Sequence, residues 1–329
     1  MKIIDMHCDT ISRIYEDKRQ GKDTYLRSNS FQVDLEKMKH SGYLLQNFAV
    51  FLDLDKTDTP YEDAKDAISI FFHEMEKNQD IILPVTAYSE ILQNEKQGKM
   101  SALLTLEEGQ ACDSSLDKLK EFYHLGTRMM TFTWNYPNSL GYPAELAASS
   151  KISTFRQDPG LTALGIEFLE EMEHLGIIPD VSHLSDSGIR DVCRYAKKPF
   201  CASHSNARSL CHRGRNLPDE LIRSIAEHGG VIGANYYGPF LSDTPDSLDR
   251  FYSYVKDNAA HIRHISNVGG ISCIGLGSDF DGIDDNLELE NCSHMELLEH
   301  ELQKIGFHAS EIEQIFYRNV LEFYKELLL

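Results

Sequence analysis

Short apolar segments alternate with longer amphipathic segments along most of this chain. The short segments have the length of buried strands, and the longer ones repeat apolar residues at the spacing of one helix face. The predicted strands are residues 2–8, 44–51, 101–106, 127–133, 177–182, 199–203, 230–235 and 271–277. The clearest helical segments are residues 64–77, 161–175, 218–228, 248–266, 295–305 and 310–328.

Eight strands that alternate with helices predict an α/β fold of the (β/α)8 TIM-barrel type. No linker, repeat or change of composition divides the 329 residues, so we expect residues 1–329 to form a single barrel domain. The alternative is an open, doubly wound sheet, which the same alternation also produces. An additional apolar run at 81–85 is either an accessory strand or a segment leading from a helix into a loop.

The net charge, the cysteines and the absence of long apolar segments indicate which partners and which cellular compartment to expect. The net charge of -20 argues against nucleic acid, because phosphates are bound by Lys and Arg. Seven cysteines without a Cys-x-x-Cys pair favour reduced thiols over a disulfide framework. The chain begins without an apolar signal region and contains no run of 18 apolar residues, so we expect a cytoplasmic protein without a membrane partner.

Side chains of the kinds that bind metal ions lie where five of the predicted strands end. Active sites of (β/α)8 barrels form at the carboxyl ends of the strands, so these side chains are expected to converge. Imidazole and carboxylate groups are good ligands for zinc. The side chains are His7, Asp9, Glu107, Glu108, His183, His204, Asp279 and Asp281.

Each of these residues also has a purely structural interpretation. His183 and His204 could be core histidines whose ring nitrogens bond to the backbone. Asp279 and Asp281 could serve the turn at Gly282, which is a common role of Asp beside Gly. Their joint placement at strand ends favours a metal site. We expect the other eleven histidines, which fall in helical or loop patterns, to be exposed.

Six segments, in combination and order, resemble the membrane dipeptidase (renal dipeptidase) family in its bacterial, unanchored form, within the amidohydrolase superfamily. The resemblance covers nearly the whole chain and implies a zinc-dependent dipeptidase built on a (β/α)8 barrel. The segments are 4–9 (IDMHCD), 106–109 (LEEG), 180–185 (DVSHLS), 203–205 (SHS), 215–219 (RNLPD) and 277–282 (GSDFDG).

The resemblance implies two zinc ions per chain, joined by a bridging glutamate. Glu107 matches the bridge, because it directly follows an apolar strand residue; Glu108 then stands where the family usually has a small residue. Strand alternation allows only one of these two side chains to face the barrel axis. The remaining ligands implied are His7 and Asp9 for one zinc, and His183 and His204 for the other.

The same resemblance assigns substrate contacts. Asp279 matches the catalytic proton carrier, Arg215 matches the residue that binds the substrate carboxylate, and Tyr237 is expected to line the site. The animal members have a histidine in the fourth-strand motif, where this chain has Trp134. An indole donates one hydrogen bond but accepts no proton, so stabilisation of the oxyanion would depend more on the metals or on Asn135.

The implied mechanism is attack on the peptide carbonyl by a hydroxide that two metals activate, with Asp279 as general base and then general acid. Dipeptides, including L,D-dipeptides, are the expected substrates, and the family often forms homodimers. Two alternatives stay open. Trp134 allows a related amidohydrolase acting on N-acyl amino acids or lactams, and a non-catalytic metal-binding barrel would use the same ligands.

Overall fold

Nine parallel strands organise the described part of the chain. The structure is a computed structural model, and it describes residues 1–147, 159–246, 248–284 and 286–329. The strands in these ranges are β1 (Ile3–Cys8), β2 (Tyr43–Phe51), β3 (Ile82–Val85), β4 (Met100–Glu107), β5 (Met129–Thr131), β6 (Ile178–Asp180), β7 (Cys201–Ala202), β8 (Val231–Ala234) and β9 (Ile274–Leu276).

Eight of the strands close into a barrel. The hydrogen-bonded order runs from β2 through β1 to β9, and then back through β8, β7, β6 and β5 to β4. A parallel pairing of β2 with β4, from Leu45 beside Ser101 to Phe51 beside Glu107, completes the ring. The (β/α)8 barrel is thereby confirmed, and the open doubly wound sheet is excluded.

The apolar run at 81–85 forms an accessory strand. β3 pairs with residues Met100 to Leu103 of β4, whereas β5 pairs further along β4, at Thr105 and Leu106. β3 therefore accompanies only the first half of β4 and takes no part in closing the ring.

The helices lie between the strands in sequence. They are α1 (Thr10–Arg19), α2 (Leu35–Ser41), α3 (Pro60–Lys77), α4 (Tyr88–Lys96), α5 (Leu116–His124), α6 (Ala163–Leu175), α7 (Asp186–Tyr195), α8 (Asp219–Glu227), α9 (Gly238–Leu241), α10 (Val255–Gly269), α11 (Glu296–Lys304), α12 (Ala309–Glu313) and α13 (Asn319–Leu327). One π-helical turn, Gln314–Arg318, joins α12 to α13. None of the described helices is both long and apolar enough to cross a membrane.

The predicted start of α10 at residue 248 is wrong. The carboxylate of Asp246 accepts hydrogen bonds from the backbone N–H groups of Leu248 (2.8 Å) and Arg250 (3.0 Å). This side chain holds the backbone in a turn, as Asp often does outside helices. The helix begins only at Val255.

The amino-terminal end of the barrel is closed by α13. Its residues Val320, Phe323 and Tyr324 pack in one buried apolar cluster with residues of the barrel strands. The hydroxyl of Tyr324 donates a 2.9 Å hydrogen bond to Oδ1 of Asn47 on β2. Because this end is filled, the carboxyl ends of the strands are left to form a site.

Candidate metal centre

Five predicted metal ligands meet at the carboxyl ends of the strands, and all of them are buried. Their ligating atoms form overlapping groups in which all atoms lie within 4.8 Å of one another. Sharp turns help to position His183 and the neighbouring Asp279. The backbone of His183 (φ +68°) and of Asp279 (φ +62°) is left-handed, which costs energy in a residue with a Cβ. The five are His7, Asp9, Glu107, His183 and His204.

Glu107 lies between two pairs of these side chains. Its Oε2 is 3.3 Å from Nε2 of His7, which in turn is 3.4 Å from Oδ2 of Asp9. Its Oε1 is 3.1 Å from Nε2 of His183 and 3.6 Å from Nε2 of His204. One carboxylate thus faces two groups of ligands with different oxygens.

Hydrogen bonds fix the proton positions on two of the histidines. Oδ1 of Asn135 lies 2.9 Å from Nδ1 of His183, and an amide oxygen only accepts, so this Nδ1 carries the proton. The hydroxyl of Ser203 donates to Asp180 and therefore accepts from Nδ1 of His204 at 2.7 Å. The Nε2 lone pairs of both rings then face each other across 2.9 Å, which is unfavourable without a cation between them.

Electrostatics also favour a bound cation. Nε2 of His7 and Oδ1 of Asp9 are buried and have no hydrogen-bond partner among the described residues. Burial raises the pKa of Glu107 to about 7, against the opposing effect of His7. Burial lowers the pKa of His183 well below its ordinary value, which keeps that ring neutral and able to ligate. These nitrogen and oxygen donors fit zinc.

Asp279 lies beside this centre and is oriented by a residue that sequence reasoning missed. Its Oδ1 is 3.9 Å from Nε2 of His7, and its Oδ2 accepts a 2.9 Å hydrogen bond from Nδ2 of Asn235. Burial raises the pKa of Asp279 to about 7. The available signal for Asn235 was its position at the end of a predicted strand, the same signal that identified the metal ligands.

The loop after β9 approaches the centre closely. Asp281 accepts a 2.7 Å hydrogen bond from the backbone N–H of Gln32, so it ties this loop to the segment before α2. A Cβ on Gly282 would lie 2.2 Å from Oδ2 of Asp9 and 2.7 Å from Oδ1 of Asp279. Only glycine therefore allows the backbone to pass this close to the two carboxylates.

Arg215 is buried near the centre with part of its guanidinium unpaired. Nη1 donates to Oγ of Ser205 (3.0 Å), and Nη2 donates to the carbonyl of His204 (3.1 Å). Nε has no hydrogen-bond partner among the described residues, although the side chain is only 3% exposed. A buried, unpaired N–H of this kind is suited to an anionic ligand.

The expectation that the remaining histidines are exposed is wrong for His261, which is 1% exposed. Its Nδ1 accepts a 3.1 Å hydrogen bond from the N–H of Ala207, and Nε2 donates to the carbonyl of Leu241. Burial lowers its pKa to about 4. His261 shares the buried face of α10 with Ile262 and Ile265. Its burial was not predicted because a histidine does not count as an apolar residue in the helical pattern.

A pocket of about 240 Å³ opens beside the centre, and Trp134 lines it. The indole ring packs edge-on against Phe51, with ring centroids 4.9 Å apart, and lies 5.5 Å from the ring of Tyr136. Tyr237 is not among the lining residues, and its ring packs against Phe240. Of the predicted aromatic contacts, only Trp134 thus faces this pocket.

Solved structures share this architecture. A metallopeptidase from Rhodobacter sphaeroides, solved with a phosphinate mimic of the dipeptide L-Ala-D-Ala, has a TM-score of 0.88 at 21% identity and covers 99% of both chains. A structure described as the dipeptidase AC of peptidase family M19 also has a TM-score of 0.88, at 22% identity, covering 100% of this chain and 99% of that one. At these identities the likeness establishes the fold.

Sequence comparison identifies the family. A protein of Schizosaccharomyces pombe described as an uncharacterised dipeptidase is 32% identical over 307 residues, which cover 89% of this chain and 72% of that protein. The model of the membrane dipeptidase family, peptidase family M19, matches residues 1–327. The resemblance inferred from the six motifs is confirmed. The chain therefore belongs to the membrane dipeptidase family, peptidase family M19, and is a metallo-dipeptidase.

Proposed function

We propose that this enzyme is a zinc-dependent dipeptidase that hydrolyses dipeptides, including L,D-dipeptides, and that Glu107 bridges two zinc ions. The observation that carries the proposal is the position of Glu107, with one oxygen 3.3 Å from His7 and the other 3.1 Å from His183. His7 and Asp9 would hold one ion, and His183 and His204 would hold the other.

Two divalent cations held there would supply Lewis acidity, which would lower the pKa of water from about 15.7 towards roughly 7 and polarise a carbonyl oxygen. Asp279 is the proposed proton carrier. Its Oδ1 faces His7, while Asn235 occupies Oδ2, so one oxygen remains free for proton transfer. Asp279 takes a proton from the attacking water and returns it to the leaving amine.

The proposed substrate is held at both ends. The unpaired Nε of Arg215 is the donor offered to the substrate carboxylate. A dipeptide is short enough for its two termini to be bound in one pocket, whereas a longer peptide is not. The relative from Rhodobacter sphaeroides binds a phosphinate mimic of L-Ala-D-Ala, which supports a D-residue at the C-terminal position here.

The structure supports the other predicted substrate contacts to different extents. Trp134 lines the pocket and is proposed to contact the substrate, but it cannot accept a proton. Asn135 bonds to His183, so we assign it to ligand orientation as well as to the substrate contact first expected. Tyr237 stays a prediction.

Hydrolysis of L-Ala-D-Ala and L-Ala-L-Ala by zinc-loaded protein, with and without a chelator, tests the proposal. We expect cleavage that the chelator abolishes, and no cleavage of N-acetylated dipeptides, because the free amino group is part of recognition. Cleavage of N-acyl amino acids or lactams in place of dipeptides would support the related amidohydrolase instead. Absence of all these activities in protein that retains zinc would support a non-catalytic barrel.

Assembly, domain organisation and location belong to the same proposal. We propose that residues 1–329 act as one catalytic domain, that two chains form a homodimer, and that the enzyme is cytoplasmic. All seven cysteines carry free thiols, which supports a reducing compartment. Light scattering coupled to size-exclusion chromatography measures the assembly directly, and a mass near 37.4 kDa would contradict the dimer.

A further inference from the structure

Glu108, the neighbour of the proposed bridging residue, has an unusual backbone and an unusual environment. Its side chain is fully buried, and its backbone has φ +108° and ψ +99°. A positive φ of this size is unfavourable for a residue with a Cβ, whereas glycine has no Cβ to oppose it. Burial of a carboxylate adds a further cost unless hydrogen bonds compensate it. Glu108 therefore requires a compensating interaction.

The compensation comes from one loop, which we define as residues 132–138 and call the Trp134 loop. Oε2 of Glu108 accepts a 2.9 Å hydrogen bond from the backbone N–H of Trp134. Oε1 accepts from the side-chain amide of Asn138 at the far end of the loop, and from the backbone N–H of Gln110 at 2.9 Å. The carboxylate thus joins both ends of the Trp134 loop to the end of β4.

Two side chains of this loop reach the site. The Trp134 ring lines the pocket and lies 6.1 Å from the ring of His183. Asn135 holds Nδ1 of the same histidine at 2.9 Å. A shift of the loop would move the pocket wall. It would also break the hydrogen bond that keeps the proton on Nδ1 of His183, a proposed zinc ligand.

We propose that Glu108 is a positioning residue that fixes the Trp134 loop, and through it sets both the aromatic wall of the substrate pocket and the orientation of His183. The inference rests on the proposed function for the identity of the substrate and for metal binding at His183. Glu107 and Glu108 then have different roles at the end of β4. The side chain of Glu107 faces the barrel axis and the metal centre, and that of Glu108 faces the Trp134 loop.

Trp134 is the only tryptophan in the chain, so its fluorescence reports on this loop alone. Glu108→Gln keeps one oxygen for Gln110 and Asn138 but turns an NH2 group towards the N–H of Trp134, where two donors then oppose each other. We expect a red-shifted Trp134 emission in this variant. Co2+ at saturation, followed by its own absorption bands, should also quench the emission less than in the wild type. For a cleaved dipeptide, kcat/KM should fall by about tenfold.

The matched control is Glu74→Gln. Glu74 is also fully buried and accepts a 2.8 Å hydrogen bond from a backbone N–H, that of Leu26, but it lies on α3 away from the loop. This variant should lose stability while keeping the wild-type emission and Co2+ quenching. If Glu108→Gln does not fold, Asn138→Ala removes one partner of the carboxylate and should change the same signals in the same direction.

Wild-type emission and quenching in a folded Glu108→Gln or Asn138→Ala protein would overturn the proposal. So would the same spectral change in Glu74→Gln, because a general loss of stability would then explain it. The fluorescence measurements need no turnover. If the wild type cleaves no dipeptide, the proposed function fails while the role of Glu108 is still decided.

Discussion

The hydroxyl of Ser203 lies 2.7 Å from Nδ1 of His204 and accepts a hydrogen bond from it, because the hydroxyl itself donates to the carboxylate of Asp180. Nε2 of His204 therefore carries no proton, and its lone pair faces the metal centre. The direction of this chain of hydrogen bonds depends on Asp180 being unable to donate.

Asp180→Asn should reverse that direction. The new amide oxygen keeps the bonds to the backbone N–H groups of Ser182 and Ser203, and the NH2 group donates to the Ser203 hydroxyl. Ser203 then donates to Nδ1, so His204 carries its proton on Nε2. We expect a 10–100-fold loss of zinc affinity at one of the two proposed sites. Zinc titration and the 15N shifts of the His204 ring measure the two effects.

A second aspartate provides the control. Asp5 accepts from the N–H (2.9 Å) and hydroxyl (2.6 Å) of Ser278, but that hydroxyl also reaches a backbone carbonyl, that of His7, at 3.3 Å. In Asp5→Asn the Ser278 hydroxyl can donate to this carbonyl. No histidine ring then has to move its proton to its other nitrogen. Zinc binding should be retained. An equal loss of zinc in both variants would contradict the assigned proton positions.

Asp279→Asn should separate metal binding from catalysis. The amide oxygen can still accept from Asn235, which directs the NH2 group towards His7, where the carboxylate oxygen was. This group cannot accept a proton, so kcat should fall by about 10²–10⁴-fold. Zinc content per chain should stay at the wild-type level. A variant that keeps zinc and most of its kcat would remove Asp279 from the proposed role.

Gly282→Ala should weaken one half of the centre. The added methyl group would lie 2.2 Å from Oδ2 of Asp9, so this carboxylate must move away from His7. We expect the zinc affinity of this half to fall by about 10–100-fold, with the His183 and His204 half unchanged as an internal control. Competition with a chromophoric chelator resolves the two affinities. If both zinc affinities stayed at their wild-type values, the loop would have to shift without cost, which would contradict the prediction.

Stability should depend on pH through His261. Its pKa is lowered from 6.5 to about 4 by burial, so below pH 6.5 the unfolded chain binds a proton that the folded chain does not. The free energy of unfolding therefore falls as the pH drops from 6.5 towards 4, by about 3 kcal/mol from this group. Urea unfolding of the wild type and of His261→Asn isolates the effect. Parallel pH dependences in the two proteins would contradict it.

The barrel could be predicted because its signal is repeated eight times. The alternation of apolar and amphipathic segments survives errors of a few residues, such as the prediction of 199–203 for the strand Cys201–Ala202. The role of Ile82–Val85 could not be predicted, because hydrophobicity does not state which edge of β4 a strand will pair with, or over what length.

The proposed ligands could be predicted because they lie at or just beyond the carboxyl ends of strands. Their supporting partners could not, since those contacts join distant segments. His261 bonds to Ala207, 54 residues away, and Asn235 bonds to Asp279, 44 residues away. Glu108 illustrates the same limit: its position was noted in the sequence, but its hydrogen bond to Trp134 depends on how two strand ends are arranged in space.

The closure of the barrel by α13 has a consequence for biosynthesis. Tyr324 and Asn47, which meet at the closed end, are 277 residues apart in sequence. During translation, at about 5–20 residues per second, all the strands are made before the helix that covers their apolar interior. Leu45 and Leu103, which pack in the same apolar cluster as α13, therefore lack this cover until the residues of α13 have been synthesised.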